Sequence, residues 1–169
     1  MFHASPRSEP YEIVPFRSEH GAAFYTLNRA WLDGAGLYEP PDEAQLSDPQ
    51  GTILDSGGAI FVALRGREVV GTAAIVPHGP GEAELLKLAV AESERGRGLG
   101  RRLLAECVER ARASGMQRLV LVSSTRLGPA LRLYESAGFV YRPIPASNPY
   151  ETADVYMELD LSTPMTVEC

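Results

Sequence analysis

Arg95-Gly96-Arg97-Gly98-Leu99-Gly100-Arg101-Arg102 is the stretch on which the architecture of this chain turns. Before it runs an apolar segment, residues 84–90 (ELLKLAV). After it come residues 99–114, where Leu99, Leu103, Cys107, Val108 and Ala111 recur at helical spacing. A strand therefore passes through a glycine-rich turn straight into a helix. Glycines without Cβ atoms let the backbone curl tightly and come close to a bound group. The first turn of a helix carries N–H groups with no intrahelical acceptor and a partial positive charge. Four arginines within eight residues add to that field. The segment suits an anion, phosphate oxygens above all.

Working outward, residues 59–64 (AIFVAL) and 69–76 (VVGTAAIV) read as strands joined by the hairpin turn Arg65-Gly66-Arg67-Glu68. A second turn at residues 77–81 leads to the 84–90 strand, which completes a meander. Upstream, residues 20–33 form an amphipathic helix with Ala23, Phe24, Leu27, Ala30 and Trp31 on one face, ended by Gly34 and Gly36. Residues 38–58, rich in Pro, Asp and Gly, are the least regular part, with a short helix at 42–46. Downstream, residues 119–123 (LVLVS) have the continuous apolar character of a strand buried on both faces. Residues 129–137 give a short helix with Pro129 in its first turn and Gly138 as its stop. Residues 139–141 and 155–161 supply closing strands. This order predicts an α/β (α+β) fold: a mixed, mostly antiparallel central sheet with helices on both faces. Residues 11–161 are expected to form one domain, with loose tails at 1–10 and 162–169.

The 169 residues suit one domain, and 44% hydrophobic content supports a core without disulfides or metal. The net charge of -6 provides no global basic field for nucleic acid or an anionic membrane. Cys107 and Cys169 make no disulfide framework, residues 1–10 lack an apolar signal core, and no run approaches the roughly 18 apolar residues of a membrane span. These features lead to the expectation of a cytoplasmic protein. His3, His20 and His78 have no ligand spacing with either cysteine, so no metal is expected.

A Walker loop requires Gly-Lys-Ser/Thr, which is absent, and the dinucleotide fingerprint places glycine where Arg101 stands. The pattern Arg95-x-x-Gly98-x-Gly100, following Leu88-Ala89-Val90, instead resembles the acetyl-CoA motif of the GNAT superfamily of N-acetyltransferases. Leu133-Tyr134-Glu135-Ser136-Ala137-Gly138-Phe139 resembles that family's LYExxGF signature at a suitable distance downstream. The resemblance implies acetyl-CoA as co-substrate, with the amides of Arg95, Gly96, Arg97, Gly98, Leu99, Gly100 and Arg101 holding the pyrophosphate. The main chain of Leu88, Ala89 and Val90 would pair with the pantetheine arm like an added strand. That pairing requires this strand to splay from residues 119–123. An N–H near Leu88 or Val90 would face the acetyl oxygen.

The resemblance also implies direct transfer to an amine. Tyr134 is the candidate to protonate the leaving thiolate, the alternative being that its ring only packs against the sheet. Glu84 is the candidate base, with Glu82 on the same side of the strand. Strict alternation puts Glu84, Leu86 and Leu88 on one face and Leu85, Lys87 and Ala89 on the other. Leu127 stands where relatives often have an asparagine, with Ser124 or Thr125 as substitutes for its contact or as turn caps. The acceptor is expected between residues 31–58 and 143–154, with Trp31, Tyr38, Tyr150 and Tyr156 as walls and Asp33, Glu39, Asp42 and Asp154 drawing an ammonium group. A small-molecule or amino-acid-like amine is the first expectation. A protein N-terminus or lysine, or a coenzyme A sensor without turnover, are the alternatives. A homodimer is left open.

Overall fold

The computed structural model describes residues 11–162. The expected tails, apart from Ser162, lie outside the described residues. Seven strands form one sheet in the order β1-β2-β3-β4-β5-β7-β6. They are β1 (Glu12–Pro15), β2 (Ala59–Arg65), β3 (Glu68–Pro77), β4 (Glu82–Val90), β5 (Arg118–Ser123), β6 (Val140–Arg142) and β7 (Val155–Asp160). All neighbours are antiparallel except β4 and β5. The mixed sheet follows the sequence expectation. β1 does not: EIVP is too short for a period to show, and it becomes a strand by pairing Glu12 with Leu64 through Pro15 with Phe61 at the β2 edge.

Helices cover both faces. On one face α3 (Leu99–Ala113) and α4 (Gly128–Ser136) bury Leu99, Leu103, Leu104, Cys107, Ala111 and Tyr134 against Ala83, Leu85, Leu119 and Leu121. On the other, α1 (Gly21–Ala35) and α2 (Pro40–Ser47) bury Phe24, Leu32 and Leu46 with Ile53, Ile60 and Ala74. Each fully buried large apolar side chain contributes about 1.5–3 kcal/mol relative to exposure. The stripe of α1 differs from the expected one: the buried positions are Phe24, Asn28 and Leu32. The polar Asn28 hides the true period. The segment expected to be irregular is largely helical, since α2 is followed by a turn of π-helix at Gln50–Leu54. Glu39-Pro40-Pro41-Asp42 starts α2, with Pro at the first positions where a missing N–H is harmless. Among the described residues, no helix is long and apolar enough to cross a membrane.

β4 and β5 pair only at Glu82 with Arg118, Ala83 with Leu119 and Glu84 with Val120. Beyond that point they part, and the β4 edge from Leu85 onward lacks a neighbouring strand on that side. Parallel strands with strict period-2 pairing would have continued. The register of β3 on β4 explains the divergence. Thr72 faces Ala89 but Ala74 faces Leu86, so β4 carries an extra residue opposite Ala73. Lys87 sits at this bulge with φ of 55°, and a bulge bends its strand and sharpens the local twist.

The bulge also corrects the expected alternation along β4. Leu88 and Val90 pack with Leu85 on the α3 face, while Leu86 packs on the α1 face and the Lys87 ammonium reaches Asp42 of α2. One inserted residue reverses the side-chain parity from there on.

Candidate active site

The parting strands open a cleft of about 840 Å³. Its walls include Leu86, Lys87, Leu88, Ala89 and Val90 of β4, the start of α3, Tyr134 of α4 and Ser123 and Ser124 at the end of β5. The bulge that shapes it is braced from behind. The Thr72 hydroxyl donates to the Lys87 carbonyl at 2.7 Å, and Asn28 Nδ2 donates to Thr72 Oγ1 at 3.0 Å and to the Phe24 carbonyl at 2.9 Å. Trp31 Nε1 donates to Asn28 Oδ1 at 3.0 Å. Asn28 and Thr72 are fully buried, so each lost bond would leave a polar group without water. Neither residue belongs to a sequence motif. A single asparagine within an apolar helical period is the trace they leave.

At the floor of the cleft, β4 passes through one turn of 3-10 helix, Glu92–Glu94, into the glycine-rich segment. Gly96 and Gly98 both take φ of 78°, in the left-handed region that disfavours a side chain. Gly100 differs: it lies in α3, and a Cβ there would sit 3.4 Å from Leu133. Its role is helix packing rather than a special backbone angle. No side chain caps α3. Among the described residues, the amides of Gly96, Arg97, Gly98, Leu99, Gly100 and Arg101 have no backbone acceptor. The Arg95 amide departs from expectation, because it turns back to the Glu92 carbonyl at 3.4 Å while its Nε donates to the Val90 carbonyl at 3.3 Å.

The arginines are unevenly compensated. Arg97 lies 3.5 Å from Glu94, whereas Arg95, Arg101 and Arg102 have no ion-pair partner among the described residues. Arg101 donates to the neutral Ser136 hydroxyl at 3.1 Å. Glu94 is buried beneath the segment and receives Arg65 at 2.7 Å and the Tyr11 hydroxyl. Those hydrogen bonds hold its carboxyl below the usual carboxylate range. Glu94 thus anchors the segment from below, and most of the positive charge above it stays free for an anion.

Tyr134 lies on the cleft wall with its ring edge-on to Phe139, centroids 5.8 Å apart. Among the described residues its hydroxyl has no hydrogen-bond partner, and burial pushes its pKa up. It is a protonated phenol facing the cleft. Glu84 lies on the same cleft at the point where β4 and β5 part. It makes no hydrogen bond among the described residues, and its closest cation is His78 Nε2 at 3.9 Å. Burial raises its pKa, opposed by the charges of His78 and Lys87. Glu82, the alternative base, is occupied: it binds His78 Nδ1 at 2.8 Å and Arg118 at 3.5 Å.

The other expected polar contacts divide differently. Asp33 pairs with Arg29 at 2.9 Å. Glu39 accepts from the Glu151 amide at 2.8 Å and the Thr152 hydroxyl at 2.6 Å. Asp42 is buried against Lys87, whose own pKa burial depresses. Asp154 binds the Thr125 amide and hydroxyl, at 2.8 and 2.7 Å. These carboxylates, expected to draw an ammonium group, are each already held. The hydroxyls near Leu127 are held too: Ser124 Oγ accepts the Arg126 amide at 3.2 Å, and Thr125 is bound to Asp154. Trp31 and Tyr150 line the cleft, while Tyr38 lies under Arg29 at 3.6 Å and outside it. Among the described residues, no group of three or more His, Cys, Asp or Glu side chains is placed to hold a metal.

The acetyltransferase (GNAT) family model matches residues 20–139. A rat protein named N-acetyltransferase family 8 member 2 is 31% identical over 102 residues, covering 57% of this chain and 45% of its own length. The chain therefore spans less than half of that relative. An uncharacterised N-acetyltransferase of Schizosaccharomyces pombe is 36% identical over 123 residues, covering 70% of this chain and 73% of its own. Among solved structures, a GNAT-family acetyltransferase of Staphylococcus aureus superposes with a TM-score of 0.83 at 17% identity, over 90% of this chain and 99% of that one. The Thermoplasma acidophilum PaiA N-acetyltransferase, solved in complex with coenzyme A, gives 0.69 at 17% identity, over 89% and 99%. The family match over residues 20–139, which takes in strands β2 to β5 and the glycine-rich entry to α3, places this chain in the acetyltransferase (GNAT) family.

Proposed function

We propose that residues 11–161 act as one acetyltransferase domain that moves an acetyl group from acetyl-coenzyme A directly to the nitrogen of a small primary amine. The observation that carries this is the parting of β4 from β5 after Glu84 and Val120, which opens a cleft running from Glu84 past Tyr134 to the uncapped start of α3. The pyrophosphate belongs on the amides of residues 96–101, where unpaired N–H groups, the helix dipole and three arginines without an ion pair among the described residues coincide. The free β4 edge at Leu88, Ala89 and Val90 offers main-chain groups to the two amides of the pantetheine arm. A Cβ at Gly96 or Gly98 would meet nothing within 4 Å, so the space beside the loop is open to a ligand.

The neutral amine attacks the thioester carbonyl carbon, and the carbon–sulfur bond breaks as coenzyme A leaves. Glu84, ionised and without a hydrogen-bond partner, takes the proton released from nitrogen. Tyr134 gives its phenolic proton to the departing sulfur, and both groups reset through solvent. Burial favours this division: it keeps Tyr134 protonated and makes Glu84 a stronger base than an exposed carboxylate. The test is calorimetric titration with coenzyme A, followed by thiol release from acetyl-CoA across a panel of primary amines. Binding with amine-dependent release is the expected result. Absence of coenzyme A affinity overturns the proposal, and binding without release from any amine makes the chain a coenzyme A-binding module.

A further inference from the structure

Glu84 and Tyr150 belong to the walls of two cavities. One is the main cleft. The other, of about 290 Å³, lies between β5, the start of β7, α2 and the segment 145–150. Its size is near the lower end of ligand pockets, roughly 300–1,000 Å³. Val120, Val122, Pro145, Pro149, Tyr150 and Tyr156 make its walls mostly apolar and aromatic. Glu84 and His78 are the charged side chains on those walls among the described residues.

The charge balance of this second cavity is specific. His78 is tied through Nδ1 to Glu82 at 2.8 Å, and Glu84 lies 3.9 Å from its Nε2. Even a protonated His78 is therefore flanked by two carboxylates. Neither lysine nor arginine lines the cavity among the described residues. Lys87 is closed off against Asp42 on the main-cleft side, and Arg118 is shared between Glu82 and Glu158, at 3.5 Å from each. Glu84 is partly enclosed, at 20% exposure, and has no hydrogen-bond donor, so a carboxylate with only the His78 ring beside it, at 3.9 Å, faces the junction of the two cavities. An ammonium or amine is the group that completes it. A carboxylate brought in with that amine would stand near Glu84 with no cation to receive it.

We infer that the second cavity is the acceptor pocket and that it selects primary amines with an apolar, ring-sized body and no carboxylate. The inference rests on the acetyl-transfer reading above and narrows its acceptor from amino-acid-like compounds to simple arylalkyl amines. Discrimination of this kind comes mainly from the rejected group, since an unpaired buried charge is penalised more than a missing contact.

The test uses matched pairs that differ only in the carboxylate: phenethylamine against phenylalanine, and tyramine against tyrosine. With thiol release as readout, kcat/KM for each amine should exceed that for its amino acid at least tenfold. A Ser147→Trp variant, changed at an exposed position on the pocket rim, should raise KM for phenethylamine at least fivefold while leaving coenzyme A affinity unchanged. Equal or reversed preference within the pairs overturns the inference and leaves acetyl transfer standing. Reversal that disappears in Arg126→Gln would assign the carboxylate to Arg126, which lines the main cleft and donates to the Gly36 carbonyl at 3.2 Å. An unchanged KM in Ser147→Trp places the acceptor elsewhere and overturns it equally. Failure of coenzyme A to bind at all removes the acetyl-transfer reading, and this inference with it.

Discussion

At the α3 end of the cleft, the groups left facing outward are backbone amides and arginines. At the α2 end they are side chains, and all but one of the carboxylates are already engaged by their own chain. Gly96 and Gly98 turn the main chain so that the first turn of α3 stays unpartnered. Around α2, Asp42 holds Lys87, Glu39 holds the 151–152 amides, and Glu43 holds Tyr25 at 2.9 Å together with Tyr38. The first end is an open array of unpaired amides and arginines that suits an anion. The second is a rigid frame whose internal pairs leave one unsatisfied group, Glu84. In the proposed acetyl transfer, binding of the coenzyme would thus depend on conformation, whereas discrimination of the acceptor would depend on which charge has been left over.

The strongest test of this contrast is to loosen the frame. Asp42→Ala leaves the Lys87 ammonium buried and unpaired, and should lower unfolding free energy by about 3–5 kcal/mol in urea titration. The double change Asp42→Leu with Lys87→Met should recover most of that loss. A drop under about 1 kcal/mol would mean the pair does not hold α2 to the bulge.

Next in size is Tyr134→Phe, which keeps the edge-on contact with Phe139 and removes only the phenolic proton. It should lower kcat about a hundredfold at unchanged coenzyme A affinity. Full turnover would assign Tyr134 to packing alone.

Glu84→Gln is expected to lower kcat/KM roughly tenfold at neutral pH, a smaller effect because solvent can also take the amine's proton. It also carries a pH signature. Burial raises the Glu84 pKa in the fold, so its protonated form favours folding. That contribution is complete below the unfolded carboxylate range and is lost as pH rises through the folded value. Activity runs the opposite way because it needs the ionised form. The acid limb of kcat/KM should therefore lie above the ordinary glutamate range and vanish in Glu84→Gln. An unchanged limb would move the base elsewhere.

The smallest effects should separate the glycines. Gly98→Ala forces a side chain into the left-handed region and should cost about 1 kcal/mol. If the loop relaxes to relieve that strain, coenzyme A affinity should weaken up to about tenfold. Gly100→Ala, with helical angles and a Cβ at contact distance from Leu133, should stay within about 0.5 kcal/mol of the parent in thermal unfolding.

The strands, the α3 and α4 helices and the glycine-rich entry to α3 were legible in the amino-acid order, because period, turn residues and missing Cβ atoms act over a few neighbouring positions. The short β1 and the π-helical turn at Gln50–Leu54 were not, since both depend on the surface they lie against, whereas the short helix expected at 42–46 is the core of α2. Around the site, the family resemblance marked Tyr134 and Glu84 as candidates, and local sequence described β4 as a regular strand. What made β4 irregular was remote: Thr72 and Asn28, 15 and 59 positions from Lys87, hold the bulge through side-chain bonds.

Sequence by itself therefore determined where the glycine-rich start of α3 lies and which face of α3 is apolar. Only the tertiary structure decided which carboxylates are spent on the protein's own cations and amides and which one is left without a hydrogen bond. Pairing is a property of distance in space, and Lys87 meets Asp42 across 45 positions of chain, a separation no local pattern records.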